Sequence, residues 1–228
     1  TKADLASNSK SAILMDFDTG KILYSKNDNE VLPPASMTKI MSMLLIMERI
    51  DNKTLSLTDE VTISENAASM GGSQVFLQAG ETYKVEELLK GIAIASGNDA
   101  VVAMAEKISG SVDDFVALMN EKAKSLGLTN TKFLNPHGLD TEGHVTTARD
   151  MATLARELIK HTSILKFTSI YEDYLKKSDG SSIWLVNTNK LVRFYDGVDG
   201  LKTGFTKNAG YCLTSTAKKN NTRFITVV

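Results

Sequence analysis

The sequence predicts an α/β protein of the α+β kind, an antiparallel sheet packed between helices with a helical lobe inserted into it. Three features of residue order predict it. Alternating apolar residues near the start read as a β-hairpin, interrupted helical patterns fill the middle from Val85 to Ile159, and the period becomes two after Ser169, where Asn, Asp and Gly clusters separate four strand candidates. Strands at both ends of a helical middle imply a sheet that the hairpin completes at its edge or centre. The helical lobe then covers about 65–165 of a single domain spanning 1–228.

The hairpin runs through Ala12-Ile13-Leu14-Met15-Asp16, turns at Phe17-Asp18-Thr19-Gly20 and returns along Lys21-Ile22-Leu23-Tyr24-Ser25. Pro33-Pro34 holds the chain extended and keeps a helix from starting earlier. From Ala35 to Ile50 the residues Ile40, Met43, Leu44, Met47 and Ile50 recur at helical spacing, which predicts an amphipathic helix with one buried stripe and Ser36 in its first turn. A short strand at Glu60-Val61-Thr62-Ile63 and a polar loop from Ala67 to Glu81 follow. Helical patterns start at Val85, stop at Ser96-Gly97-Asn98, restart at Asp99, and resume from Val112 to Ser125. Thr129 to His144 is irregular. Thr147-Ala148-Arg149-Asp150 resembles a capping box ahead of a helix carrying Met151, Leu154, Ala155, Leu158 and Ile159. The late strand candidates are 182–186, 200–203, 209–217 and 223–228. The last stops without a polar tail, so further sequence is expected beyond it.

Composition narrows the function classes. A chain of 228 residues, 42% hydrophobic and 23% charged, can bury a sizeable core. Its formal net charge of -1 offers no electrostatic case for nucleic acid or an anionic membrane surface. The best apolar run, Ile40 to Ile50, is interrupted by Ser42, Glu48 and Arg49 and is too short for a bilayer span. Thr1-Lys2-Ala3-Asp4 is no signal peptide, so an exported protein has already lost it. Cys212 is the only cysteine and lies in an alternating apolar run, as a small buried hydrophobe does. His137, His144 and His161 lack metal-ligand spacing and read as structural.

The chemistry starts at Pro34-Ala35-Ser36-Met37-Thr38-Lys39. Residues three apart share a helix face, so the Lys39 amine comes back over the Ser36 hydroxyl, the geometry of a nucleophile and its base. A helix N-terminus adds unpaired N–H groups and a positive dipole end, suited to an oxyanion on an attacked carbonyl. Two further motifs follow in order, Ser96-Gly97-Asn98 between helices and Lys202-Thr203-Gly204 on a late strand.

Together the three motifs resemble the penicillin-interacting serine enzymes, with a β-lactamase/transpeptidase-like fold. Asn135-Pro136-His137-Gly138-Leu139, the Thr-Ala-Arg-Asp at 147–150 and the run from Gly197 to Thr206 are similar to the low-molecular-mass penicillin-binding proteins, specifically D-alanyl-D-alanine carboxypeptidases. The resemblance covers nearly the whole chain. It implies Ser36 as nucleophile, Lys39 as its base, and Ser96 as proton relay to the departing D-alanine. Asn98 would hold a substrate amide. The main-chain N–H groups of Ser36 and Phe205 would bind the oxyanion, and Lys202, Thr203 and Thr206 the terminal carboxylate. Gly204 would leave room for the acyl chain to lie along the strand edge. Where some members carry an arginine, this chain has Thr188 in Asn187-Thr188-Asn189.

No cofactor or metal is implied. The expected partners are peptidoglycan stem peptides, with β-lactam antibiotics as inhibitors and no nucleic acid. The family implies an exported protein at the outer face of the bacterial membrane or in the cell-wall space. A C-terminal β-domain and membrane anchor, usual in the family, are absent from this chain. Two rivals remain in view: a serine β-lactamase, and a cell-wall binding module without turnover. The Glu-x-x-Leu-Asn of class A β-lactamases does not occur between Ser125 and Ala148, where the acids are Asp140 and Glu142.

Overall fold

The computed structural model describes residues 3–228, so Thr1-Lys2, half of the stretch read for a signal peptide, lies outside the described residues. Strands β1 (Ala12–Asp16) and β2 (Ile22–Lys26) form the predicted hairpin. Asp16 closes its turn by accepting from the Thr19 main-chain N–H and hydroxyl, each at 2.8 Å, and Gly20 supplies the left-handed φ of 71°.

Helix α1 (Lys39–Asp51) differs from expectation in two ways. It begins later, because Ala35 takes a φ of 49° and residues Ala35–Thr38 wind as a tighter 3-10 turn. It is also buried on every side from Lys39 to Met47, packed between the sheet and three helices, so it is a central helix and not one with a single apolar stripe.

Next come β3 (Glu60–Thr62), α2 (Glu65–Ala68) and β4 (Thr82–Lys84), of which β3 and β4 pair. Strand β4 was not read from the sequence: it lies between the polar loop ending at Glu81 and the helical pattern starting at Val85. The lobe is completed by α3 (Val85–Ala95), α4 (Asn98–Ser109) and α5 (Val112–Ser125). Helix α6 (Ala148–Lys160) starts where the capping signal puts it, with Thr147 Oγ1 accepting from the Asp150 N–H at 3.0 Å.

After α7 (Leu165–Thr168), strands β5 (Glu172–Lys176) and β6 (Ser182–Val186) pair as a hairpin outside the main sheet. Charged Glu172, Asp173 and Lys176 hide β5 from a hydrophobic reading. Helix α8 (Leu191–Phe194) leads into β7 (Val198–Thr206), β8 (Gly210–Lys219) and β9 (Thr222–Val227).

The main sheet has the order β2-β1-β9-β8-β7, antiparallel throughout, so the N-terminal hairpin closes one edge and β7 is the other. Ile13, Met15, Ile225 and Val227 lie on the side packed by α6 and join the core, whereas Leu14, Leu213, Ala217 and Phe224 alternate onto the opposite, half-buried face. Among the described residues no helix is long and apolar enough to cross a membrane.

One carboxylate ties the loop over the lobe to its helices. Asp99, fully buried, accepts from the main-chain N–H groups of Val75 (3.1 Å), Leu77 (3.0 Å) and Ala100 (2.9 Å). We predict that Asp99→Ala, which strands the Val75 and Leu77 donors, lowers stability by about 3 kcal/mol in urea unfolding. A loss under about 1 kcal/mol would show that the loop is held by other contacts.

Candidate active site

Lys39 and Ser36 meet as the motif predicts, across the junction between a 3-10 turn and α1. Lys39 Nζ lies 3.0 Å from Ser36 Oγ, 2.7 Å from Asn98 Oδ1 and 2.9 Å from the His137 carbonyl oxygen. Asn98 and His137 offer only acceptors in these contacts. The two N–H bonds of a neutral amine satisfy them and leave the lone pair directed at Ser36 Oγ, the arrangement of a base receiving the serine proton. Burial, and then the nearby charge of Lys202, hold the Lys39 amine well below the usual lysine range, against a smaller opposing effect of Asp99.

Two glycines let the backbone close around this turn. At Gly138, with φ of 97°, a Cβ would stand 1.9 Å from the Ala35 carbonyl oxygen. At Gly204 it would stand 3.0 Å from Ser36 N and 2.8 Å from Cys212 Sγ. The bare face of Gly204 therefore admits the Ser36 turn. Side chains alternate along β7, and this face is the one turned toward the core.

The free edge of β7 follows from strand register. Leu213 exchanges both main-chain bonds with Val228, at 2.9 and 3.0 Å, so its polar groups point away from β7. Its partner Thr203, and Phe205 opposite Tyr211, consequently turn their N–H and C=O groups outward along the open edge. Phe205 N–H and Ser36 N–H thus stand unpaired by the sheet on either side of the Gly204 contact, the pattern of an oxyanion site.

A cavity of about 500 Å³ opens here, lined by Ser36, Ser96, Thr188, Thr203, Phe205 and Tyr211 among others. Ser96 sits in the left-handed conformation (φ 60°) between α3 and α4, which aims its hydroxyl into the site. The Ser96 Oγ is buried and has no hydrogen-bond partner among the described residues. Lys202 is also buried; its ammonium donates to the Thr203 carbonyl at 3.0 Å, and burial pushes its pKa down to about 7. The Thr203 hydroxyl donates to Thr188 Oγ1 at 2.6 Å, leaving the Thr188 proton free.

Two of the expected substrate-binding residues have partners within the protein. Asn98 opens α4, 2% exposed, where its Oδ1 accepts from Lys39 and its Nδ2 donates to the Gly71 carbonyl at 2.8 Å. Thr206 points to the inner side of β7 and donates to Asp140 Oδ1 at 2.8 Å, which braces the 135–143 loop.

The sequence reading quoted the Asn135-to-Leu139 stretch only for its resemblance and gave the His137 carbonyl and Gly138 no role; the glycine in that irregular stretch, free to take positive φ, was the available signal. The imidazoles of His137 and His144 are pushed down to about 4, mainly by burial, and stay neutral. His144 accepts from the Leu134 N–H and donates to Thr38 Oγ1, which anchors the same loop. Cys212 is only partly buried; its thiol, raised to about 11 by burial, faces the Gly204 carbonyl.

A D-alanyl-D-alanine carboxypeptidase family model matches residues 1–228. The chain is 62% identical to the D-alanyl-D-alanine carboxypeptidase DacF of Bacillus subtilis over 99% of its own length and 58% of that protein, and 41% identical to DacC of Escherichia coli over 95% and 55%. It therefore spans little more than half the length of these curated relatives. The fold is similar to the crystal structure of DacD from Francisella tularensis, with a TM-score of 0.93 at 34% identity, over 100% of this chain and 67% of that one. It is similar, too, to penicillin binding protein 5 from Haemophilus influenzae, with a TM-score of 0.90 at 36% identity, over 96% and 64%. With its motifs in one cleft and this agreement along its whole length, the chain belongs to the D-alanyl-D-alanine carboxypeptidase family of serine peptidases.

Proposed function

We propose that the protein removes the terminal D-alanine from peptidoglycan stem pentapeptides through an acyl-enzyme on Ser36. The observation that carries this reading is the buried Lys39 amine, saturated by two carbonyl oxygens and aimed with its remaining valence at Ser36 Oγ. Ser36 Oγ gives its proton to Lys39 and bonds to the carbonyl carbon of the penultimate residue. The N–H groups of Ser36 and Phe205 receive the oxyanion, a contribution of about a hundred- to a thousandfold for such donors. As the C–N bond breaks, the unpartnered Ser96 hydroxyl passes a proton to the leaving D-alanine amine. Lys202 and Thr203 hold its carboxylate. Water then hydrolyses the ester, and the reaction takes place outside the cytoplasmic membrane, where this substrate is found.

Benzylpenicillin, with a carboxylate and an acyl amide of similar layout, takes the same place and inhibits. Among the described residues no Asp or Glu side chain lines the cavity to activate water against the penicilloyl ester. The test is mass spectrometry of the protein after benzylpenicillin, alongside D-alanine release from diacetyl-L-lysyl-D-alanyl-D-alanine. An adduct on Ser36 lasting minutes, together with release, is expected. Rapid turnover of the drug without adduct or release would instead make the protein a β-lactamase, and no added mass at all would make it a binding module.

The two lysines predict a bell-shaped dependence of kcat/KM on pH. Lys39 works only when neutral, so the rate rises with pH through an ionisation well below 10.5. Lys202 works only when protonated, so the rate falls as pH passes about 7. A rate still climbing at pH 9 would remove Lys202 from carboxylate binding.

A further prediction concerns Gly138. A methyl group there must displace the Ala35 peptide by more than an ångström, so Gly138→Ala is expected to slow acylation of Ser36 by about a hundredfold while circular dichroism is unchanged. Acylation within threefold of the parent would show that the turn is held without this contact.

A further inference from the structure

Two loops meet beside the Lys39–Asn98 pair, and each is tied down separately. The 71–78 loop is held by the start of α4. Asn98 donates from Nδ2 to the Gly71 carbonyl at 2.8 Å and from its main-chain N–H to the Ser73 carbonyl at 2.7 Å, while Asp99 takes the Val75 and Leu77 N–H groups. The 135–143 loop is held by its own Asn135, whose side chain accepts from the Gly138 N–H at 2.6 Å and donates to the Leu139 carbonyl at 3.0 Å. The Leu139 N–H donates to His137 Nδ1 at 3.1 Å, so both polar groups of the Leu139 main chain are fixed. Among the described residues no hydrogen bond passes directly from one loop to the other. What joins them is the Leu139 side chain laid against Gly72.

A Cβ on Gly72 would stand 2.8 Å from Asn98 Nδ2 and 3.1 Å from Leu139 Cδ2, and the φ of 73° favours glycine there. The bare face of Gly72 is thus shared by the Asn98 amide and the Leu139 side chain. Leu139 remains 37% exposed, whereas Asn98 is 2% exposed and Lys39, which donates to Asn98 Oδ1, is 0% exposed. An apolar side chain that is itself open to solvent, set beside polar groups that are shut off from it, acts as a cover. The cover matters because burial is the main influence that favours the neutral amine at Lys39. Of the groups around that amine, Lys202 on β7 also disfavours an ammonium, Asp99 on α4 favours one, and the His137 imidazole in the loop is neutral. Water entering at the join would hydrate an ammonium and offset the effect of burial.

We infer that Leu139 is a positioning residue for the reaction: its side chain closes the join at Gly72 and keeps water from the Asn98–Lys39 pair. The inference rests on the acyl-enzyme reading of Ser36 and goes beyond it to what keeps the base in its working form. Its test is the rate at which benzylpenicillin labels Ser36, followed by mass spectrometry from about pH 5 to about pH 9. Leu139→Ala is expected to label about five- to tenfold more slowly than the parent at the acidic end, with the ratio of the two rates rising to about one at the alkaline end. Hydration raises only the pH at which Lys39 loses its proton; the dependence on Lys202 is common to both proteins and cancels in the ratio. Leu139→Met, which keeps an apolar cover, is expected to match the parent throughout. A ratio that does not rise with pH overturns the inference, since a residue that merely braces the loop would slow labelling equally at every pH. Leu139→Met behaving as Leu139→Ala overturns it as well. Either result leaves the acyl-enzyme reading standing, whereas no labelling of the parent at any pH overturns both.

Discussion

An amine enclosed by protein and held by two carbonyl oxygens is the constraint on which this structure depends. Lys39 is fully buried, and an ammonium there would forgo most of its hydration. The cluster eases the problem by shifting the balance toward the neutral amine: Asn98 Oδ1 and the His137 carbonyl accept from two of its N–H bonds, and burial, with the Lys202 charge, disfavours a further proton. A proton acceptor is thereby kept beside a weak nucleophile. Each holder is fixed in turn, Asn98 by the start of α4 and the Gly71 carbonyl, His137 by a loop that Ser42, Asn135, His144 and Thr206 secure from four sides.

Close approach of main chain to main chain is the second requirement, and it explains where side chains are missing. The Ser36 turn is pressed between Gly138 on one side and Gly204 on the other, with a Cβ excluded at the first and tightly crowded at the second. The left-handed conformations of Ala35 and Ser96 each cost about 1–2 kcal/mol. They persist because α1 and α4, packed in the core, leave the flanking residues no alternative, and they aim the two serine hydroxyls at one cavity.

The open edge of β7 combines these parts. A paired edge would have used the Phe205 N–H in the sheet; an edge left bare invites unwanted pairing. Here the outward groups alternate with side chains that face the core, so one strand carries the inner lysine and glycine and the outer threonine and aromatic ring.

The sequence by itself determined most elements and the identity of the chemical motifs. The hairpin, the helices starting at Val85, Asn98, Val112 and Ala148, and the last three strands are encoded by apolar periods and turn residues that act over a few positions. The pairing of Ser36 with Lys39 is likewise local, three residues apart. Short or charged strands such as β4 and β5 left no such signal. Only the tertiary structure decided that α1 is enclosed on all sides, that Asn98 serves the base, that Thr206 braces a loop, and that Gly204 admits the nucleophile. Lys39 finds Asn98 59 positions away and the His137 carbonyl 98 positions away. Such contacts are selected by how buried faces pack against one another, and no local pattern of residue types records which surfaces will meet.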